Sequence, residues 1–221
     1  MCYHNIKICG ITQQTDACFC AEAGVGALGA VFFEPSPRYV SPQQAYHLFK
    51  DLPPSIKRVG VFVDMPITQM LAIAHEARLN TLQLHGQESL EIMLMAQAAG
   101  FRVIKVLKAT GTQLIADAGA LPEDIGILVE CGSGPLPGGN GAAWNWSEAA
   151  PLAAMRPFAL AGGLTPLNIT AALQASQAIA CDLSSGVENA PGIKNHNAIL
   201  NTLKNIAVLN QQIPVPPQLF W

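Results

Sequence analysis

Residues 58–86 read RVGVFVDMPITQMLAIAHEARLNTLQLHG, and the fold turns on this stretch. An apolar run over 58–63 leads to a helix-like segment over 66–78, and a second apolar run covers 81–86. Both runs are nearly continuous rather than alternating. That is the pattern of parallel strands covered on both faces.

The same unit repeats along the chain. Strands are expected at 6–10, 28–33, 58–63, 81–86, 102–107, 126–130, 158–163 and 178–183. Helices are expected at 15–23, 42–50, 66–78, 88–98, 111–119, 147–154, 166–175 and 195–208. The second helix carries Ser41 as N-cap and Pro42 at its first position. Eight strands alternating strictly with eight helices predict an α/β protein, a single (β/α)8 TIM barrel with a closed parallel sheet. An open doubly wound sheet is the alternative. It usually has fewer strands and often a GxGxxG after the first, and none follows here. The barrel is expected to span residues 1–210. A proline-rich C-terminal tail, 211–221, ends in PVPPQLFW and is expected to lie against it, because Leu219, Phe220 and Trp221 are costly to expose.

Bulk properties exclude several classes. The 221 residues are 50% hydrophobic and 12% charged, enough for one large core. A net charge of −3 without long charged runs predicts neither nucleic acid nor membrane as partner. Residues 157–181 are uncharged, but Gly162, Gly163, Pro166 and Asn168 read as strand, turn and helix, not a membrane span. Six cysteines lack zinc-like spacing and read as reduced thiols. Strand structure by Ile6 leaves no room for a targeting peptide. The expectation is a cytoplasmic monomer.

In such a barrel, chemistry gathers where the strands end. The candidates are Cys9 on strand 1, Glu34 and Arg38 past strand 2, Asp64 past strand 3, and His85 on strand 4. Lys105 and Lys108 flank strand 5, Glu130 ends strand 6, Gly162 and Gly163 end strand 7, and Asp182, Ser184 and Ser185 end strand 8. The loops AGGLTPLN and DLSSG, after strands 7 and 8, suit a phosphate: small residues let backbone N–H groups approach an anion. Two prolines stiffen the loop around Arg38, which suits a carboxylate. Lys7 shares a strand face with Cys9 and is expected to lower its thiol pKa. His85 reads as a core or rim histidine, and Glu34 and Asp64 as solvated strand ends.

The motifs KICG (7–10), SPRYV (36–40), VGVFV (59–63), LQLHG (82–86), GGNG…W (138–146), LAGGL (160–164), and DLSSGVE with PGIK (182–194) occur in order over almost the whole chain. In these the chain resembles the phosphoribosylanthranilate isomerases of tryptophan biosynthesis. The resemblance implies a barrel without cofactor or metal and a small phosphorylated substrate. It implies an Amadori rearrangement of N-(5-phosphoribosyl)anthranilate to 1-(2-carboxyphenylamino)-1-deoxyribulose 5-phosphate. It further implies Cys9 as general base, Arg38 at the anthranilate carboxylate and Asp182 near the sugar hydroxyls. Gly162, Gly163, Ser184, Ser185 and Gly186 would hold the phosphate.

The family's acid is an aspartate closing strand 6, where this chain has Glu130. Its G-G-T-G is Gly138–Gly141 with Asn140, its F-D-W is Trp144-Asn145-Trp146, and its P-G-x-K-D ends in Asn195. Two readings follow: an active isomerase with Glu130 as general acid, its longer side chain accommodated by the glycine-rich loop 131–143, or a degenerate barrel that binds a phosphorylated ligand without this catalysis.

Overall fold

The computed structural model describes residues 3–131, 144–212 and 220–221. Eight parallel strands close into a barrel in chain order. They are β1 (Tyr3–Cys9), β2 (Val25–Val31), β3 (Lys57–Phe62), β4 (Thr81–Leu84), β5 (Arg102–Ala109), β6 (Gly126–Cys131), β7 (Ala159–Leu160) and β8 (Ala180–Leu183). Around them run α1 (Gln14–Glu22), α2 (Pro42–Phe49), α3 (Ile67–Glu76), α4 (Leu90–Ala98), α5 (Thr112–Gly119), α6 (Ala150–Ala153), α7 (Ile169–Ser176) and α8 (His196–Gln212).

Side chains alternate along each strand, so one sequence fills two layers. Ile6, Ile8, Leu82, Leu84, Ile127 and Val129 pack outward with the helices in the larger core. Ala27, Val59, Ile104, Leu128, Ala159 and Ala180 form a second cluster inside the barrel. Helix starts follow the sequence. Ser41 accepts from the Gln44 N–H and Gln44 answers at the Ser41 N–H, a full capping box, with Pro42 behind it. Asn195, where the resemblance implies aspartate, caps α8 by accepting from the Ala198 N–H at 2.9 Å. Either side chain does this work equally well.

Four elements depart from expectation. β2 begins at Val25, because Gly26 and Ala27 carry little hydrophobic signal. The 147–154 helix is a 3-10 turn, Trp146–Ala149, followed by the single turn of α6. Pro151 cannot donate to the Ser147 carbonyl, and its ring crowds that oxygen. β7 is only two residues long, since Gly162 and Gly163 take φ values of 88° and 66° that no strand uses. A small antiparallel hairpin, β9 (Glu188–Ala190) with β10 (Ile193–Lys194), follows β8, its strands too short to carry an apolar run.

The far end of the chain returns to the barrel. Phe220 and Trp221 are buried and join the inner cluster, where alanines on three strands leave room for an indole. The Phe220 N–H donates to Asn5 Oδ1 at 3.1 Å, and Lys7 Nζ lies 5.7 Å from the Trp221 ring centroid. The rest of the tail, 213–219, lies outside the described residues. Trp221→Ala should lower stability by about 3 kcal/mol in urea unfolding, the scale of emptying a large aromatic from a core. A loss under about 0.5 kcal/mol, the surface value, would show that the indole does not fill the barrel.

Candidate active site

One pocket opens where the strands end. It is lined by Cys9, Arg38, Gln83, His85, Glu130, Gly162, Gly163, Asp182, Ser184, Ser185 and Gly186, among others. Cys9, Arg38, Glu130, Asp182 and the residues expected at the phosphate are thus brought to one cavity with His85, while Glu34, Asp64, Lys105 and Lys108 do not line it. Strand register explains much of this. Lys7 on β1 pairs with Asp182 on β8, Cys9 with Gly29 on β2, and Lys108 on β5 with Glu130 on β6.

Cys9 is buried, and Gly29 makes the space for it: a Cβ there would stand 2.9 Å from Cys9 Sγ and 3.0 Å from Lys7 Cε. Lys7 does stand beside the thiol, but not with the expected result. Burial pushes the Cys9 thiol up, and Lys7 pulls it back only in part. The expected lowering is thus reversed: burial outweighs the cation, and the nearby Asp182 charge adds to the rise. Lys7 Nζ donates to Asp182 Oδ2 at 2.6 Å with its side chain fully buried. Burial opposes the Lys7 charge, but Asp182 and Cys9 together more than offset it, so Lys7 stays an ammonium; at Asp182 burial outweighs Lys7 and pushes the carboxyl up. Asp182 Oδ1 and Gln83 Oε1 are both buried without a protein partner among the described residues. Two unanswered acceptors in a polar pocket suit hydroxyl donors of a ligand.

Glu130 faces the cavity. Its Oε1 lies 2.8 Å from His85 Nε2 and accepts a short hydrogen bond from Lys108 Nζ. Burial alone would raise its pKa. His85 first and Lys108 second outweigh that and hold the carboxyl below the usual range. His85 is thus a rim histidine satisfied by Glu130. Its inward parity with Gln83 on β4 was the available signal. The loop expected to reset the longer acid, 131–143, lies outside the described residues apart from Cys131.

The two small-residue loops meet closely. A Cβ on Gly186 would come within 1.9 Å of the Leu164 carbonyl oxygen, so only glycine fits. Trp144 Nε1 donates to the Ala161 carbonyl at 3.1 Å and Trp146 Nε1 to the Gly162 carbonyl at 3.4 Å. Asn168 Nδ2 holds the Gly163 carbonyl at 2.9 Å. The Ser184 hydroxyl donates to the Cys9 carbonyl at 3.1 Å, which ties this loop to β1. Arg38 is clasped by Glu188, a residue that carried no role in the sequence reading. Glu34 and Asp64 are exposed; Asp64 accepts from the Gln87 N–H. Lys105 is buried on Glu88, away from the pocket lining. Among the described residues, no cluster of three or more His, Cys, Asp or Glu is placed to hold a metal ion, and no helix is long and apolar enough to cross a membrane.

A closed barrel with a thiol and a carboxylate lining one pocket at the strand ends defines a (β/α)8-barrel enzyme built for proton transfer. The family model described as N-(5'phosphoribosyl)anthranilate (PRA) isomerase matches residues 6–205. The chain is 39% identical to the N-(5'-phosphoribosyl)anthranilate isomerase of Desulfatibacillum aliphaticivorans, over 91% of this chain and 92% of that one. It is 40% identical to the isomerase of Thermotoga neapolitana, over 90% and 97%. Among solved structures, the Thermotoga maritima phosphoribosylanthranilate isomerase superposes with a TM-score of 0.84 at 35% identity, covering 94% of this chain and 100% of that one. A phosphoribosylanthranilate isomerase in complex with reduced 1-(o-carboxyphenylamino)-1-deoxyribulose 5-phosphate gives 0.82 at 34%, with the same coverage. The chain belongs to the N-(5'-phosphoribosyl)anthranilate isomerase family and is an isomerase.

The Glu130 environment makes a direct prediction. In Lys108→Met protein the Glu130 carboxyl should titrate at higher pH than in the parent, followed by carbon NMR of labelled glutamate. An unchanged or lower midpoint would show that Lys108 does not hold the anion.

Proposed function

We propose that this chain catalyses the Amadori rearrangement of N-(5-phosphoribosyl)anthranilate in tryptophan biosynthesis, with Glu130 as general acid and Cys9 as general base. The observation that carries this reading is the shared pocket, where a thiol and a carboxylate stand with Arg38 and two small-residue loops. Glu130 gives a proton to the ribose ring oxygen as the C1–O bond breaks, and the anilino nitrogen lone pair forms a protonated Schiff base. Cys9 then removes the proton from C2, leaving an enolamine. That species loses its C2 hydroxyl proton, gains a proton at C1 and becomes the ketone. Asp182 Oδ1 receives a sugar hydroxyl, and Arg38 receives the anthranilate carboxylate. The phosphate lies against Gly162, Gly163, Ser185 and Gly186. Ser184 contributes there by its backbone, or by its hydroxyl after that turns from the Cys9 carbonyl. We further propose a cytoplasmic monomer that needs no cofactor. One related Thermotoga maritima structure is of monomers generated from a dimeric enzyme, so sedimentation of the purified chain tests the monomer.

Turnover of N-(5-phosphoribosyl)anthranilate, followed by anthranilate fluorescence, should be readily measured. Cys9→Ala and Glu130→Gln should each lower kcat about a hundredfold or more, the typical worth of a positioned acid or base. Full activity in Glu130→Gln would remove that assignment. Phosphate-ligand stabilisation without turnover in the parent would favour the degenerate barrel.

The protonation states predict the pH profile. Burial raises the Cys9 thiol, and His85 and Lys108 lower the Glu130 carboxyl against its own burial. Between those two pKa values the pair holds one proton in total. The productive form, thiolate with carboxylic acid, is then a constant share of that pool. Below the Glu130 value the base is lost to protonation; above the Cys9 value the acid has no proton. kcat/KM should therefore show a broad plateau. Its limbs should fall outside the ordinary values of about 4.3 and 8.5. Limbs inside that interval would contradict the assignment.

A further inference from the structure

The β9–β10 hairpin brings two charged side chains to the site that the reaction scheme does not use. Glu188 is 4% exposed and Lys194 fully buried at the side chain, and their ion pair measures 2.6 Å. Burial this deep for two charges calls for a purpose beyond a surface contact.

Their bonds define that purpose. Arg38 Nε donates to Glu188 Oε1 at 2.9 Å and Oε2 at 3.1 Å, and Arg38 Nη2 donates to Oε2 at 2.6 Å. This fills one edge of the guanidinium, the Nε–Nη2 edge. The other edge presents one N–H from Nη1 and one from Nη2. It has no protein partner among the described residues. Glu188 Oε1 also accepts from Lys194 Nζ and, at 3.3 Å, from the Gly192 N–H. Lys194 Nζ reaches the Cys9 carbonyl at 2.5 Å and the Ser184 carbonyl at 3.5 Å. Its own N–H is fixed to Asp16 Oδ2 at 2.9 Å. Glu188 and Lys194 are thus both saturated by the protein.

We propose that Glu188 and Lys194 are positioning residues that hold Arg38 by one edge, so that its free edge is aimed at the carboxylate of an aromatic aglycone. They fix that edge relative to the ends of β1 and β8, which carry Cys9 and Ser184. The inference rests on the reading that the substrate carries such a carboxylate. A guanidinium free to rotate would bind the same group with less order. Burial would raise the Glu188 pKa, but Arg38 and Lys194 more than offset it, which keeps the anion in place at neutral pH.

The test is calorimetric binding of two probes, reduced 1-(o-carboxyphenylamino)-1-deoxyribulose 5-phosphate and inorganic phosphate. Glu188→Gln should weaken the analogue about tenfold or more, the scale of a charged hydrogen bond. Phosphate should change by less than about twofold. In an Arg38→Ala background the same substitution should add no further loss, because the two act as a unit. Glu188→Asp keeps the charge but shortens the reach. It should lie between, and it serves if the glutamine variant does not fold. Equal weakening of both probes would mean a merely structural role. Tighter analogue binding would mean that Glu188 competes for Arg38. Either overturns the proposal while leaving parent turnover, and the isomerase reading, intact. A parent that binds the analogue no better than phosphate overturns both.

Discussion

One buried ion pair spans the seam at which the barrel closes. Lys7 on β1 and Asp182 on β8 meet at 2.6 Å where the last strand joins the first. Neither charge has water to turn to, so each needs the other; removing one partner of such a pair typically costs about 3–5 kcal/mol. The pairing also fixes register at the seam. A slip of one residue would send every side chain of a strand to its opposite face. With Lys7 and Asp182 held level, Cys9 and Ser184 follow two residues later on the same face and reach the mouth together. The hydroxyl of Ser184 on the Cys9 carbonyl completes that join.

Above this pair the site is arranged by competition between burial and neighbouring charge. At Cys9 burial wins over Lys7, and the Asp182 charge adds to it. At Glu130 the neighbours win, because His85 and Lys108 converge on one oxygen. The extra methylene of glutamate does not turn the acid away from the cavity. It faces the pocket, bridged to β4 and β5 by the two basic side chains. Below the pair, the Trp221 indole fills an interior built largely from small side chains. The inner layers thus run from an aromatic plug, through a buried ion pair, to an open polar pocket.

Much of this was legible in the sequence. Continuous apolar runs separated by helix-like segments carried the barrel, and the residue ending each run carried Cys9, Glu130 and Asp182. Reading failed where a single residue breaks a local pattern and where tertiary contact decides. Pro151 broke a helix that composition favoured, and Gly162 and Gly163 left the strand for a left-handed turn. The contact of His85 with Glu130 was hidden because the two are 45 residues apart. Glu188 and Lys194 lay in motifs that carried the family resemblance, yet nothing in their spacing shows that they grip Arg38, 150 residues from Glu188. The lowering of the Cys9 thiol failed because the sequence places Lys7 beside Cys9 but shows neither how deeply the thiol is buried nor that Asp182 stands near it.

The central claim is that Cys9 and Glu130 address opposite sides of one sugar chain, held by its two anionic ends. A crystal structure with reduced 1-(o-carboxyphenylamino)-1-deoxyribulose 5-phosphate tests this most directly. The account predicts the carboxylate on the Nη1–Nη2 edge of Arg38 and the phosphate against Gly163 and Gly186. Cys9 Sγ and Glu130 should flank the carbons between them. A ligand bound with Glu130 remote from its sugar oxygens, or with the phosphate on Arg38, would contradict it.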